Sequence, residues 1–294
     1  MRVSPAVSAA DGRVAPADRD LRYNCPYLRE RTMNAPIREL PQIARPADIG
    51  AEEWALRLEL AACYRLFAYL GWTEMIFNHI TLRVPGPESQ FLINPYGLHY
   101  REVTARNLVK IDVHGSVIGE SAWPVNPAGF VIHSAIHEHR PDAHCVIHTH
   151  TTAGIAVACK QGGLRHDNFY SAQFFGRLAY HDFEGVTTDL GEQERLVASL
   201  GQADALILRN HGLLVVGPTI PEAFMASWSL QRACEVQLAA DSMPGPNHPI
   251  PESVLRAIPN QQKAMRAGHV RPFQPVFDAM LRVAGIRLED LAGD

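Results

Sequence analysis

Two histidines one residue apart end an apolar stretch of the chain, Val146-Ile147-His148-Thr149-His150. If this stretch is a strand, His148 and His150 point to the same face, because the side chains of a strand alternate between its two faces. Two imidazoles on one face can bind a single metal ion, and histidine is the commonest metal ligand in proteins. The alternative is that both side chains simply end the strand and contact water. The spacing alone fits both interpretations.

A third histidine favours the metal interpretation. His211 follows the apolar stretch 206–208 and precedes Gly212, where the chain leaves the core and can approach other backbone closely. Three imidazoles with a fourth coordination position left open are typical of a catalytic metal site, not of a closed structural one. Nitrogen ligands suit Zn(II) first, and Fe(II), Mn(II) and Co(II) also accept them. We therefore predict a divalent metal ion on His148, His150 and His211.

The pattern of apolar residues predicts the elements that must position these histidines. Apolar residues from Leu56 to Leu70 recur at steps of three and four, which is typical of an amphipathic helix, and Gly71 ends it. The predicted strands lie at residues 78–84, 91–94, 108–112, 145–147, 205–208 and 213–216, and further helices at about 129–139, 151–159 and 221–241. Strands that first follow one another and then alternate with helices predict an α/β protein. We expect a three-layer α/β/α sandwich with a central mixed, largely antiparallel sheet.

Composition limits the class of protein. The chain has 294 residues, of which 47% are hydrophobic and 20% charged, so it can bury a substantial core and is too apolar for a disordered chain. A net charge of −4 predicts no attraction to nucleic acid or to an anionic membrane, and no stretch approaches the roughly 20 apolar residues that span a bilayer. Five scattered cysteines without a CxxC pair, and a start without an apolar signal segment, lead us to expect a reduced, cytoplasmic protein.

The chain divides into three segments by composition. Residues 1–48 are rich in Pro, Arg and Ala without sustained periodicity, so we expect a flexible N-terminal arm, in which Met33 is a candidate for the true start. Residues 49–242 carry the predicted strands and helices and form the predicted domain. Residues 243–294 begin with the linker MPGPNHPIP and continue as a predicted helical extension.

Longer motifs around the three histidines resemble a known family. The segments NHITLRV (78–84), FLINPYGLHYREVTARNLVKID (91–112), AYHDFEG (179–185) and LILRNHGL (206–213), with residues 126–150, are similar to the class II aldolase/adducin N-terminal domain over about residues 71–240. The family's metal-binding His-x-His falls on His148 and His150, and the histidine of its NHG motif falls on His211. NPYGLHYREVT, NPAGF and AYHDFEG resemble the adducin head more than the aldolases. The resemblance also implies a homotetramer and a small-molecule substrate.

The chain departs from this family at a site that matters for chemistry. Sugar-phosphate aldolases and epimerases have S-S-E there, two serines for phosphate and a glutamate at the metal. The corresponding residues here are Pro127-Ala128-Gly129, which offer neither a hydroxyl nor a group that transfers a proton. The phosphate-contacting threonine before Gly97 is Tyr96, so the resemblance leaves Asn78 and Gly97 as ligand-binding residues. It therefore does not predict phospho-aldol chemistry by the family's usual route.

Other polar residues are candidates for acid–base work beside the metal. His181 is a candidate pocket acid, base or fourth ligand, and the alternative is a loop histidine bonded to Asp182. His133 and His137 are four residues apart on one predicted helix face, which fits either two pocket residues or a half-buried helix surface. The resemblance implies that Tyr170 is a proton donor that reaches a neighbouring subunit, as a tyrosine does in family aldolases.

Three functions fit these residues. The first is a metal-dependent lyase on a small hydroxy-carbonyl or carboxylate compound. A metal with an open position can polarise a carbonyl or an enediolate during aldol cleavage, decarboxylation or dehydration. The second is a non-catalytic adducin-like head that acts by oligomerisation or by binding a protein of the actin type. The third is an Fe(II) oxygenase with the same three histidines, as the resemblance to a few relatives of this fold implies.

Overall fold

The computed structural model describes residues 43–86, 89–185 and 191–293. Most of the predicted arm at 1–48, including Met33, lies outside these ranges. The described residues belong to one compact unit. The three candidate metal ligands and the elements around them therefore belong to the same body.

The described residues form a seven-stranded sheet. Its strands are β1 His79–Val84, β2 Gln90–Ile93, β3 Val109–Asp112, β4 Cys145–Thr149, β5 Leu178–His181, β6 Ala205–Leu208 and β7 Gly212–Gly217. Their order across the sheet is β3-β2-β1-β4-β7-β6-β5. Neighbouring strands are antiparallel except β5 and β6, which are parallel. The predicted mixed, largely antiparallel sheet is confirmed.

Helices cover both faces of this sheet. They are α1 Ala51–Leu70, α2 Pro127–His139, α3 Thr152–Ala158, α4 Glu192–Leu200, α5 Ile220–Asp241, α6 Glu252–Arg266 and α7 Gln274–Val283, with short 3-10 helices at Tyr100–Glu102, Ser171–Phe174 and Leu288–Leu291. Helices α1, α3 and α5 pack on one face of the sheet, and α2 and α4 on the other. The predicted three-layer α/β/α sandwich is thus confirmed. Helix α1 ends where the sequence predicts, at Gly71, whose φ is +76°.

The alternation of side chains along β4 separates two cores. Cys145 and Ile147 belong to the larger core with α1 and α5, whereas Val146 lies in the smaller core with Ile132 of α2. His148 follows Val146 by two residues, so it lies on the face that α2 and α4 cover. The strand therefore carries its buried histidine into the space between the sheet and α2.

Tyr64 of α1 holds the beginning of β1 in place. Its hydroxyl donates to the carbonyl of Ile80 and accepts the backbone N–H groups of Ile80 and Asn94, both at 3.1 Å. The Tyr64 side chain is fully buried, and a buried hydroxyl with several partners avoids the penalty of an unsatisfied polar group. The contact fixes the strand end at which Asn78 and His79 lie.

The C-terminal helices pack onto the same core as the sheet. Phe277 of α7 is buried, and its ring centroid lies 5.6 Å from that of Phe224 of α5. Leu281 of α7, and Leu288 and Leu291 of the last 3-10 helix, are buried in the same cluster. The predicted extension at 243–294 therefore adds to the core of the predicted 49–242 domain.

Two expectations from composition concern membranes and thiols. Within the described ranges, no helix combines the length and the apolar character that a membrane span requires. The described cysteines, Cys63, Cys145, Cys159 and Cys234, are free thiols. Cys25 lies outside the described residues.

Candidate metal centre

Three imidazoles converge at one end of the sheet. His148 is in β4, His150 follows that strand by one residue, and His211 lies in the turn between β6 and β7. Because β7 pairs with both β4 and β6, this turn lies against the end of β4. Nε2 of His150 lies 2.7 Å from Nε2 of His148 and 2.9 Å from Nε2 of His211. One nitrogen from each ring lies within 4.8 Å of the others, so the structure brings the three predicted ligands together.

The donor set fits a divalent metal ion. Nδ1 of His148 donates to the carbonyl of Leu213 at 3.0 Å, which leaves its Nε2 unprotonated and close to the other two rings. A carbonyl on the second ring nitrogen is the usual arrangement around a metal-binding histidine, because it fixes the tautomer. Lone pairs that converge in this way repel one another unless a cation or a shared proton lies between them. His148, His150 and His211 are therefore the residues that would hold the metal, with one position left open.

The turn that carries His211 requires the residues on either side of it. Asn210 has a φ of +58°, a left-handed conformation that asparagine adopts more readily than most residues. A Cβ on Gly212 would lie 2.4 Å from the carbonyl oxygen of Thr149 and 3.1 Å from the ring of His150. The close backbone approach predicted at Gly212 is confirmed. It holds His211 against the two ligands from the end of β4.

Asn78 holds the backbone of His150, the second candidate ligand. Its Oδ1 accepts the backbone N–H of His150 at 2.9 Å, and its Nδ2 donates to the carbonyl of Trp72 at 3.0 Å. The side chain is 0% exposed. Its amide is thus bonded to the protein backbone, where it positions His150, and its role in ligand binding stays a prediction.

Burial keeps the three imidazoles in the form that binds metal. Burial, followed by the charge of His150, lowers the pKa of His148 well below its usual value and that of His211 to about 4. Burial also lowers the pKa of His150, against an opposing effect of the negative charge of Glu74. Metal ions bind neutral imidazole, so at neutral pH no proton has to leave these rings first.

His181 of β5 lies against α4. Its Nδ1 is 3.0 Å from Oγ of Ser199, and its Nε2 is 3.4 Å from a carboxylate oxygen of Glu192. Asp182, the partner considered from the sequence, instead lies 3.6 Å from Arg209. The role of His181 as pocket acid, base or fourth ligand stays a prediction.

Tyr170 and Gly97 lie in loops. Tyr170 precedes a 3-10 helix and is half-buried, with its ring centroid 5.3 Å from that of Phe169. Gly97 follows β2 with a φ of +109°, and a Cβ there would lie 3.7 Å from the ring of Trp123. Their expected roles, a proton donor to a neighbouring subunit and a ligand contact, stay predictions.

His133 and His137 both reach from α2 to β1. The hydroxyl of Thr81 lies 2.7 Å from Nδ1 of His133 and 2.7 Å from Nε2 of His137. The two histidines are 0% and 1% exposed. The structure therefore shows a buried pair and not the half-buried helix surface considered from the sequence, while a catalytic role for His133 stays a prediction.

His79 is a residue that the sequence analysis missed. It lies in β1 directly opposite His148 of β4 and is 3% exposed. Burial, followed by the charge of His150, lowers its pKa to about 4. A Cβ on Gly129 would lie 2.7 Å from the His79 ring. The signal in the sequence was its place beside Asn78 in NHITLRV, which does not reveal that β1 pairs with β4.

Comparison with known proteins decides the family. The family model of the class II aldolase and adducin N-terminal domain matches residues 58–238. This chain belongs to the class II aldolase and adducin family. It is 48% identical over 204 residues to a Caulobacter vibrioides protein provisionally named as a class 2 aldolase, a match that covers 69% of this chain and 79% of that one.

Two further relatives in the class II aldolase and adducin family have names of different kinds. The chain is 42% identical over 215 residues to alpha-adducin of Rattus norvegicus, which covers 72% of this chain but 29% of the adducin. It is 31% identical to the solved structure of L-fuculose 1-phosphate aldolase from Glaciozyma antarctica, with a TM-score of 0.72 over 85% of this chain and 96% of that one. Membership of the family therefore fixes the fold but not the reaction.

Proposed function

We propose that this protein is a metal-dependent enzyme of the class II aldolase type that acts on a small hydroxy-carbonyl or carboxylate compound. The convergence of three imidazole nitrogens, with the tautomer of His148 fixed by a backbone carbonyl, supports this most directly. A bound divalent ion, zinc first and Fe(II), Mn(II) or Co(II) otherwise, supplies a Lewis acid that polarises a carbonyl or enediolate oxygen. The reaction class is then a lyase reaction, such as aldol cleavage, decarboxylation or dehydration.

The residues around the ligands supply position and access. Leu213 orients the ring of His148, and Asn78 holds the backbone of His150. His148 is buried, whereas His150 and His211 are partly exposed, so a substrate reaches the metal from the side of the last two ligands. An orientation fixed in advance in this way lowers the cost of arranging the reacting groups.

The usual phospho-aldolase route is not the one we propose. Gly129 has no acid–base group, and the space beside its Cα is filled by the His79 ring. The 31% identity to an enzyme named L-fuculose 1-phosphate aldolase still makes sugar phosphates a necessary part of any test.

The identity to alpha-adducin favours a second candidate function. In it, the chain is a non-catalytic head that acts by oligomerisation or by binding a protein of the actin type, and the metal has a structural role. Exposed aromatic side chains at Phe169 and Phe183, 76% and 54% exposed, offer apolar contact area for such a partner. A homotetramer and a cytoplasmic location belong to both candidates as proposals.

Elemental analysis of protein purified without added metal, followed by a substrate screen, tests the first proposal. We expect about one equivalent of zinc per chain and turnover of a hydroxy acid or a sugar phosphate. His148→Ala should lose both, and His114→Ala, a change at an exposed histidine after β3, should keep both.

Each other outcome has a defined meaning. Equal metal content in His148→Ala and the wild type would overturn the proposal that His148 binds the metal. Iron without zinc would support the oxygenase alternative. Tight metal binding without turnover of any compound in the screen would overturn the proposed enzymatic activity and support the adducin-like head.

A further inference from the structure

A row of buried polar side chains lies behind the metal centre, between α2 and β1. It consists of His79, Thr81, His133 and His137, none of which is more than 3% exposed. The hydroxyl of Thr81 lies 2.7 Å from a ring nitrogen of each of His133 and His137. Nδ1 of His137 lies 3.1 Å from the carbonyl oxygen of Ala143. A backbone carbonyl thus ends one side of the row.

If the histidines of the row are neutral, the carbonyl of Ala143 determines which ring nitrogen of His137 and of His133 carries the hydrogen. A carbonyl oxygen only accepts, so the hydrogen of His137 is on Nδ1 and its Nε2 is an acceptor. The Thr81 hydroxyl must then donate to His137 Nε2. Because that hydroxyl has a single hydrogen, its oxygen accepts from Nδ1 of His133. His133 is therefore left with an unprotonated Nε2.

The other end of the row reaches His79. Nε2 of His79 lies 3.4 Å from the amide nitrogen of Asn126, which donates to it, so the hydrogen of His79 is on Nδ1. Among the described residues, neither Nδ1 of His79 nor Nε2 of His133 has a partner at hydrogen-bond distance. The Asn94 side chain also interacts with the His79 ring and acts to raise its pKa. The two rings are perpendicular with centroids 6.0 Å apart. One nitrogen is a donor and the other an acceptor, so a single water between them would satisfy both.

The ring of His79 also fills a particular space. A Cβ on Gly129 would lie 2.7 Å from three atoms of this ring. One of them is Cγ, the ring atom bonded to Cβ of His79. Cγ cannot move far, because the backbone of His79 is paired with His148 of β4. A side chain at position 129 and the present position of His79 therefore exclude each other.

We propose that His79 is the polar group that faces the metal centre in place of a side chain at residue 129, and that Thr81, His133 and His137 are positioning residues that hold His79 in its Nδ1-protonated form. In this form Nε2 of His79 accepts a hydrogen bond from a substrate hydroxyl in exchange for the one from Asn126. The place of His79 at a metal centre rests on the proposed function. The order of hydrogen bonds in the row does not depend on that function, so each of the two claims has its own experiment.

Nitrogen and carbon NMR of labelled imidazoles in the full-length, metal-free protein tests the row, because the two neutral tautomers give different ring shifts. The signals of His79 are assigned by their loss in His79→Gln. We expect the Nδ1-protonated form of His79, His133 and His137 in the wild type and in Thr81→Ser, which keeps the hydroxyl. In Thr81→Val, which has a similar shape but no hydroxyl, His133 and His79 should shift towards the Nε2-protonated form.

Two results would overturn this order of hydrogen bonds. One is an Nε2-protonated His79 in the wild type. The other is an identical tautomer of His79 in Thr81→Val and Thr81→Ser. If Thr81→Val fails to fold, the wild-type and Thr81→Ser spectra still decide the first point.

Thermal unfolding tests whether His79 and a side chain at residue 129 exclude each other, because the expected effect of Gly129→Ala on the midpoint has opposite signs with and without the His79 ring. Residue 129 is in the first turn of α2 without a positive φ, so Gly129→Ala by helix propensity alone should raise the thermal midpoint by about 3 °C. We expect it instead to lower the midpoint by about 5 °C, because of the contact with His79. In a His79→Ala background the same change should raise the midpoint. A raised midpoint in both backgrounds would overturn the proposed exchange of positions.

Metal content separates this inference from the proposed function. Zinc binding by the wild type, measured on the same samples, reports on the proposed metal site alone. Absence of zinc binding with the expected tautomers and midpoints would overturn the metal site and with it the role of His79 there, while the row would stand.

Discussion

Replacing His137 with glutamine should change how the stability of the protein depends on pH. His137 is 1% exposed between α2 and β1. Burial, followed by the charge of Arg83, lowers its pKa from 6.5 to about 3. Between these two values the unfolded chain binds a proton that the folded chain does not. The free energy of unfolding therefore has its full value above the unfolded pKa and falls as the pH drops from about 6.5 towards 3.

The size of this effect follows from the two pKa values. Folding lowers the pKa of His137 from 6.5 to about 3. At 1.36 kcal/mol per pH unit, this lowers the free energy of unfolding by about 5 kcal/mol once the pH is below both pKa values. Between pH 7 and pH 5 the loss is about 2 kcal/mol, because the unfolded histidine becomes protonated while the folded one stays neutral. If the free energy of unfolding falls by about 3 kcal/mol per M of urea, the loss of about 2 kcal/mol lowers the urea concentration at the unfolding midpoint by about 0.7 M.

Urea unfolding at pH 7 and pH 5, with a chelator present to remove pH-dependent metal binding, measures this change. The wild type is compared with His137→Gln and with His139→Gln, a change at an exposed residue of the same helix. We expect the decrease in midpoint between the two pH values to be about 0.7 M smaller in His137→Gln and unaltered in His139→Gln. An equal decrease in all three proteins would contradict this prediction, since His137 would then accept a proton without unfolding.

Two further predictions concern the residues that hold the ligands. Asn78→Ala removes the acceptor for the backbone N–H of His150, and we expect it to lower the free energy of unfolding by about 1–3 kcal/mol and zinc affinity by about 10-fold, measured by urea unfolding and zinc titration. Gly212→Ala places a Cβ 2.4 Å from the carbonyl of Thr149, so it should destabilise the fold by about 1–3 kcal/mol and weaken zinc binding. Gly162→Ala, where nothing lies within 4 Å of the added Cβ, is the matched control and should change stability by less than about 0.5 kcal/mol. Unchanged zinc affinity in both Asn78→Ala and Gly212→Ala would contradict a positioning role of these residues for His150 and His211.

Local elements with a clear period could be predicted, and short edge elements could not. Helix α1 was predictable because its apolar residues recur over about four turns, from Leu56 to Leu70, before Gly71 reverses the backbone. Strand β5 was missed because it has four residues, of which three are only half-buried, so no alternation shows in the sequence. Helix α4 was also missed. Its nine residues, Glu192–Leu200, bury one narrow stripe, and its place is set by packing on α2 and β5.

The sequence alone predicted the three candidate ligands and the absence of one acid–base group. His148 and His150 share a face because a strand has a period of two, and Gly212 after His211 indicates the close backbone approach that the structure shows. Gly129 excludes a side-chain acid or base at its position in any fold.

The surroundings of the three histidines depend on tertiary contacts that the sequence does not show. The His79 ring lies against Gly129, and the amide of Asn78 bonds to the backbone. His133 and His137 are buried in contact with the hydroxyl of Thr81. Each of these contacts depends on the pairing of β1 with β4 or on the packing of α2 over β1. The period of a strand tells which of its side chains share a face, but it does not tell which other strand lies beside it.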